Sequence, residues 1–210
     1  MASSRLFVSL ASALAVAASA CAPGLQPSVE LDGHLCAPET LGEDYQELIR
    51  GVFSPRDLAD LSEDADARES EYRAAGMESG KFVYFKSVLP KPPFEPPVNV
   101  VCQAIEFEDA TGAERYLASL DAADAHNALA FGAVPGEDVV TESRPSPLAG
   151  PPDLRYFAAA GGTGEQRTTV SFLVGAEGRF VRLVAVGSRA RLTEQPDDLL
   201  VSLWLNRGRP

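Results

Sequence analysis

The chain of 210 residues carries 30 acidic and 18 basic side chains, a formal net charge of −12 at pH 7. Such a surface repels nucleic acid and anionic lipid headgroups, which excludes a nucleic-acid-binding protein and a protein held to a membrane by basic residues. The length behind a leader suits one domain of ordinary size.

The first 21 residues have the layout of an export signal that ends at a cysteine. Arg5 precedes an uncharged, largely apolar run of 11 residues (6–16), and three small residues (18–20) precede Cys21. The run is shorter than the roughly 20 residues that a membrane-spanning helix needs, and it fits the apolar region of a signal peptide. The sequence predicts a bacterial lipoprotein whose Cys21 carries the lipid and anchors it to the outer face of the cell membrane. Ordinary cleavage before Cys21, giving a secreted or periplasmic protein, is the alternative.

The cysteine count is informative once Cys21 is assigned to the lipid. Two thiols then remain, Cys36 and Cys102, and an exported protein in an oxidising compartment can pair them. Two separate buried cysteines are the alternative. A disulfide between them would close a long loop, and the chain-entropy model gives such a bond a stabilisation of about 4 kcal/mol.

The chain is predicted to divide into a signal peptide (1–20), a lipidated N-terminus with a flexible tether (21–43) and a single domain (44–210). The tether is inferred from proline, glycine and acidic residues without a sustained period.

The first half of the domain is predicted to hold two helices and two strands. Ser54, Pro55 and Gly76 mark the ends of a helix over 54–75. Strands rich in Val, Phe, Tyr and Ile follow at 81–88 and 98–107, separated by a proline-rich surface loop with Phe94 at its centre. Asp109 caps a second helix over 110–123.

The second half is predicted to be mainly strands. They lie at 137–142, 154–160, 168–174 and 180–186, and the last three form a meander with short glycine-bearing loops. A helix starting at Thr193 carries the apolar stripe that includes Trp204. The element order predicts an α+β fold, with a largely antiparallel sheet of about five strands and helices packed on one face.

Three further clusters have ordinary structural interpretations. The acidic residues of the first helix lack the spacing of a calcium loop, and Asp121, Asp124 and His126 at the end of the second helix are typical of a solvated helix end. The glycines at 161, 162 and 164 lack the Lys-Ser/Thr of a phosphate-binding loop. No metal and no cofactor are therefore expected.

A family resemblance rests on the stretch 100–113 with its Cys102, on Tyr116, on Val134-Pro135-Gly136 and on the paired strands before the last helix. This pattern resembles a diffuse group of actinobacterial lipoproteins and the extracytoplasmic sensor domains of some receptor serine/threonine kinases. The chain lacks the extra cysteine pair often seen in those domains. The resemblance implies binding at the cell surface, with no catalytic motif to carry over.

The motifs disfavour an enzyme, because the chain has no Gly-x-Ser-x-Gly, His-Glu-x-x-His or P-loop signature. Only a hydrolase that uses two carboxylates remains possible as an enzyme.

We expect a non-catalytic binding module that contacts an envelope protein or cell-wall component. A carrier of a lipid or small hydrophobic ligand is the alternative. The module is favoured because large apolar side chains should fill the interior, namely Phe107, Tyr116, Phe157, Phe172, Phe180 and Trp204.

Overall fold

A computed structural model of the protein describes residues 28–62, 64–88, 99–120, 140–144, 146–148, 154–161, 168–189 and 196–207. The predicted signal peptide, Cys21, Phe94, the cluster of Asp121, Asp124 and His126, Val134-Pro135-Gly136 and Thr193 lie outside the described residues. No helix in the described part of the chain has both the length and the apolar character needed to cross a membrane.

The centre of the structure is an antiparallel sheet of seven strands in the order β1-β2-β3-β7-β6-β5-β4. The α+β class and the antiparallel sheet are confirmed, although the sheet has more strands than the five expected. The strands are β1 (Tyr45–Phe53), β2 (Met77–Ser87), β3 (Asn99–Phe107), β4 (Val140–Arg144), β5 (Arg155–Gly161), β6 (Thr168–Glu177) and β7 (Phe180–Arg189).

The predicted first helix is divided into α1 (Pro55–Ala59) and α2 (Ala65–Ala74). Ser54 starts α1 as expected, in a reciprocal capping box with Asp57, while Asp64 caps α2 separately. The chain turns at Gly76, whose φ of 78° is the left-handed conformation that glycine adopts most easily. Helix α3 (Ala110–Ser119) is capped by Asp109, as predicted.

The last helix, α4 (Pro196–Leu205), is held at its C-terminal end by a buried arginine. Arg182 of β7 donates hydrogen bonds to the carbonyl oxygens of Trp204 at 2.5 Å and Leu203 at 2.8 Å. A guanidinium at this end satisfies carbonyls that have no partner within the helix and suits the helix dipole. Burial lowers the pKa of Arg182 to about 10, which still leaves it charged at neutral pH.

The expectation that the helices pack on one face is wrong, because helical segments cover both faces of the sheet. Alternate residues of β3, β6 and β7 enter two separate cores, as the period of two in a strand requires. Helices α1, α2 and α3 cover the first core, which contains Phe82, Val101, Phe107, Tyr116, Leu117, Phe172 and Leu183. Helix α4 and the N-terminal segment cover the second core, which contains Leu31, Leu35, Val83, Phe85, Cys102, Leu173, Leu200, Leu203 and Trp204.

The predicted flexible tether is also too long. Residues 28–44, here called the N-terminal segment, form three short 3-10 turns at Val29–His34, Pro38–Thr40 and Gly42–Asp44. Leu31, Leu35 and Leu41 are buried in the second core. The sequence predicts a tether here because the apolar residues of the segment follow no sustained helical or strand period.

Candidate binding groove

An open groove of about 1420 Å³ lies at the β1 edge of the sheet, on the face of the second core. One wall is the N-terminal segment and another is the end of α4. The groove is lined by Asp32, Leu35, Cys36, Ala37, Pro38, Glu39, Thr40, Arg50, Gly51, Val52, Lys81, Ser202, Leu205, Asn206 and Arg207.

A β-bulge in β1 brings two charged side chains together beside the groove. The register passes from Glu47 opposite Phe85 to Ile49 opposite Tyr84, so Leu48 is the inserted residue. As a result Glu47 and Arg50 lie on one face, whereas residues three apart in a regular strand lie on opposite faces. The guanidinium of Arg50 donates to both carboxylate oxygens of Glu47, at 3.1 and 2.9 Å. The hydrogen bond to Glu47 raises the pKa of Arg50.

The N-terminal segment contributes the carboxylate of Asp32 to the lining of the groove. Lys81 of β2 donates to Asp32 at 2.8 Å, and Arg50 approaches the other oxygen of Asp32 at 3.8 Å. Lys81 lies opposite Val52 in the register and exposes only 15% of its side chain. Because Lys81 is largely buried, this pair contributes more to the position of the segment than a fully exposed surface pair does.

A second ion-pair network lies where the N-terminal segment meets the end of α4. Glu177 of β6 accepts hydrogen bonds from Arg207 at 2.7 Å and from His34 at 3.2 Å. The His34 ring stacks on Phe180, with the ring centroids 4.3 Å apart. Burial alone would raise the pKa of Glu177. The hydrogen bond from His34 and the charges of Arg207 and Arg182 outweigh burial and hold that pKa below its usual value.

A disulfide anchors this wall of the groove to the sheet. Cys36 of the N-terminal segment is bonded to Cys102 of β3, with Cα atoms 5.8 Å apart, and this is the pair that the cysteine count predicts. Both residues are buried. Cys36 also forms a backbone bridge with Arg207, so the N-terminal segment and the residues after α4 meet at the groove.

The groove is lined by both charged and apolar side chains. Its cations Arg50, Lys81 and Arg207 each have a carboxylate partner, so these positive charges are compensated within the protein. Among the described residues, no group of three His, Cys, Asp or Glu side chains is arranged to hold a metal ion.

Sequence reasoning found the disulfide but missed the groove. The six large apolar residues expected in the interior are all buried, at 8% exposure or less. None of the predicted strands covers β1, because four of its nine residues are polar, charged or glycine and its apolar residues do not alternate. The signal for this surface is the acid and base that flank Leu48 and Ile49. It could not be recognised from the sequence, because only the bulge places Glu47 and Arg50 on the same face of the strand.

No protein-family model and no curated protein matches the chain. Among solved structures, the extracellular domain of PknH from Mycobacterium tuberculosis is similar, with a TM-score of 0.47 and 11% sequence identity over 86% of this chain and 90% of that chain. A TM-score below 0.5 does not establish a shared fold, so what this protein binds and where it resides are inferred from its own residues.

Proposed function

We propose that the protein is a non-catalytic binding module of the bacterial cell envelope, anchored by a lipid on Cys21 to the outer face of the cell membrane. The observation that carries the binding role is the groove, which is large, open and lined by five charged side chains among its residues. The buried Cys36–Cys102 disulfide supports export, because such bonds persist in oxidising compartments.

The position of the N-terminal segment supports an anchored module that lies close to its membrane. The described fold begins at Ser28, seven residues after Cys21. Even a fully extended chain of that length spans at most roughly 25 Å. The first groove residue, Asp32, follows almost at once. A ligand of the groove would therefore be reached near the membrane surface.

The composition of the groove favours an envelope protein or a cell-wall component over the alternative cargo, a lipid or small hydrophobic ligand. A site for such a cargo is enclosed and mostly apolar. Here the groove is open, and five charged residues line it beside the apolar ones, namely Asp32, Glu39, Arg50, Lys81 and Arg207.

The anchor is tested by cell fractionation of the Cys21→Ala variant. We expect the variant to leave the membrane fraction, because the acidic domain has no basic cluster to hold it to lipid. Pro23→Ala, which keeps the cysteine, is the matched control and should stay with the membranes. Continued sedimentation of Cys21→Ala with the membranes would contradict the anchor.

The binding role is tested by hydroxyl-radical footprinting of the protein on its own membranes and after purification. Leu205, in the groove, exposes 65% of its surface, and Val88, which is not among the lining residues, exposes 53%. We expect Leu205 to be protected on the membranes while Val88 is labelled equally in both samples. Equal labelling of Leu205 in the two samples would contradict an occupied groove.

A further inference from the structure

Strand β1 ends the sheet and carries apolar side chains on the surface. It pairs with β2 on one side, and the sheet order of the described residues places no strand on its other side. Leu48 and Ile49, adjacent in its middle, expose 49% and 38% of their surface. A long edge strand with free backbone groups is a template for pairing with another strand.

The charges beside these apolar residues are arranged so that the strand complements itself. In the sequence Glu47-Leu48-Ile49-Arg50, an acid and a base flank the apolar pair symmetrically. When a second copy of β1 lies antiparallel beside the first, Glu47 of each copy can face Arg50 of the other. Leu48 and Ile49 of both copies then meet at the centre.

The bulge at Leu48 makes this pairing compatible with a two-fold axis. Rotation about an axis perpendicular to the sheet does not exchange the two faces of the sheet. Two residues that pair across the axis must therefore project from the same face of the strand. Glu47 and Arg50 satisfy this condition because they lie opposite Phe85 and Val83, which both belong to the second core. Without the inserted residue the two charges would point to opposite faces.

We propose that β1 is a homodimer interface, through which two copies of this chain pair edge to edge about a two-fold axis perpendicular to the sheet. Charged side chains on an edge strand often prevent pairing, because like charges meet. Here the facing charges are opposite. A two-fold interface duplicates each favourable contact, so the exchange of two internal Glu47–Arg50 pairs for two pairs between copies keeps every charge neutralised.

The same axis also suits two membrane-anchored copies. The N-terminal segment packs on the face of the second core, and the axis places both copies of that segment on one face of the combined sheet. Both copies of the segment therefore lie on the same side of the combined sheet, as the proposed anchoring of two copies through Cys21 requires. The pairing itself requires neither the anchor nor a groove ligand.

Charge exchange tests the pairing by sedimentation equilibrium on the exported Cys21→Ala protein, which carries no lipid. Glu47→Arg and Arg50→Glu each place like charges opposite one another twice, and we expect each to weaken dimerisation about tenfold or more. The double variant Glu47→Arg/Arg50→Glu restores opposite charges and should restore the dimer. Because both single changes and the double change remain polar and exposed, restoration in the double variant separates pairing from a loss of folding.

Oxidative cross-linking of the full chain in cells gives a second readout. Leu48→Cys should form a covalent dimer across the axis, whereas Val88→Cys, equally exposed beyond the end of β2, should not. A monomeric parent protein at all concentrations, equal dimerisation of the single variants, or cross-linking of Leu48→Cys to a different protein would overturn the homodimer. The expected results of the fractionation and footprinting experiments, which test the proposed module, are the same whichever of these outcomes is observed.

Discussion

Glu177 is the residue at which three parts of the chain meet. It belongs to β6 and accepts hydrogen bonds from His34 of the N-terminal segment and from Arg207 just after α4. Its side chain is only 20% exposed. A largely buried carboxylate with two donors stabilises the folded state only while it is ionised, so the contribution of this junction depends on pH.

The lowered pKa of Glu177 fixes the direction of that dependence. The pKa lies below the ordinary 4.5 in the folded protein, so the unfolded chain takes up the proton first as the pH falls. The stabilisation is present above about pH 4.5 and is lost as the pH falls through the folded pKa. We expect the urea midpoint of the parent protein to fall more steeply between pH 5 and pH 3 than that of Glu177→Gln, in roughly the window where carboxylates titrate.

The control for this effect is Glu43→Gln, which changes an exposed glutamate of the N-terminal segment. Its midpoint should follow that of the parent across the whole range. Parallel pH profiles for the parent and Glu177→Gln would show that the junction contributes no pH-dependent stability.

At the scale of elements, the disulfide determines whether the N-terminal segment remains packed. Cys36 and Cys102 are 66 residues apart, and the bond joins the segment to β3. In the chain-entropy model, a disulfide that closes a loop of this length stabilises the fold by about 4 kcal/mol, because it lowers the entropy of the unfolded state. We expect Cys36→Ser/Cys102→Ser to lower the free energy of unfolding by about 2 to 5 kcal/mol in urea titrations.

The segment itself should be the first part to loosen in that variant. Limited proteolysis in native buffer should then cleave within residues 28–44 before it cleaves in the sheet, while the parent protein resists. As a control, a reducing agent added to the parent should reproduce both effects. Unchanged stability and an uncut segment in the serine variant would mean that the ion pairs of Asp32 and His34 hold the segment without the bond.

Elements with strong local signals were predictable from the sequence. The capping residues Ser54 and Asp109 and the apolar strands β3 and β7 were identified correctly, because their patterns depend on nearby residues alone. β1 and the N-terminal segment were missed. Each obtains its structure from distant partners: β1 from pairing with β2, and the segment from burial of Leu31 and Leu35 against the sheet. The groove is formed by these two elements, so it could not be predicted either.

At the scale of the whole molecule, one sheet separates two cores that no side chain shares. The strands β3, β6 and β7 contribute alternate residues to each core, so loss of packing on one face removes support from the strands that build the other. This coupling through the backbone predicts that the two cores unfold together, as one cooperative unit.

Two matched leucines test this cooperativity. Leu117 of α3 lies in the first core and Leu200 of α4 in the second, at 4% and 0% exposure. Each replacement by alanine should lower the free energy of unfolding by about 2 to 5 kcal/mol.

Trp204, the only tryptophan, reports on the second core through its fluorescence, while circular dichroism reports on the whole chain. If the cores are coupled, Leu117→Ala shifts the fluorescence transition in urea as far as the circular dichroism transition. A fluorescence midpoint that stays at the parent value while the other probe shifts would mean that the two faces of the sheet unfold independently.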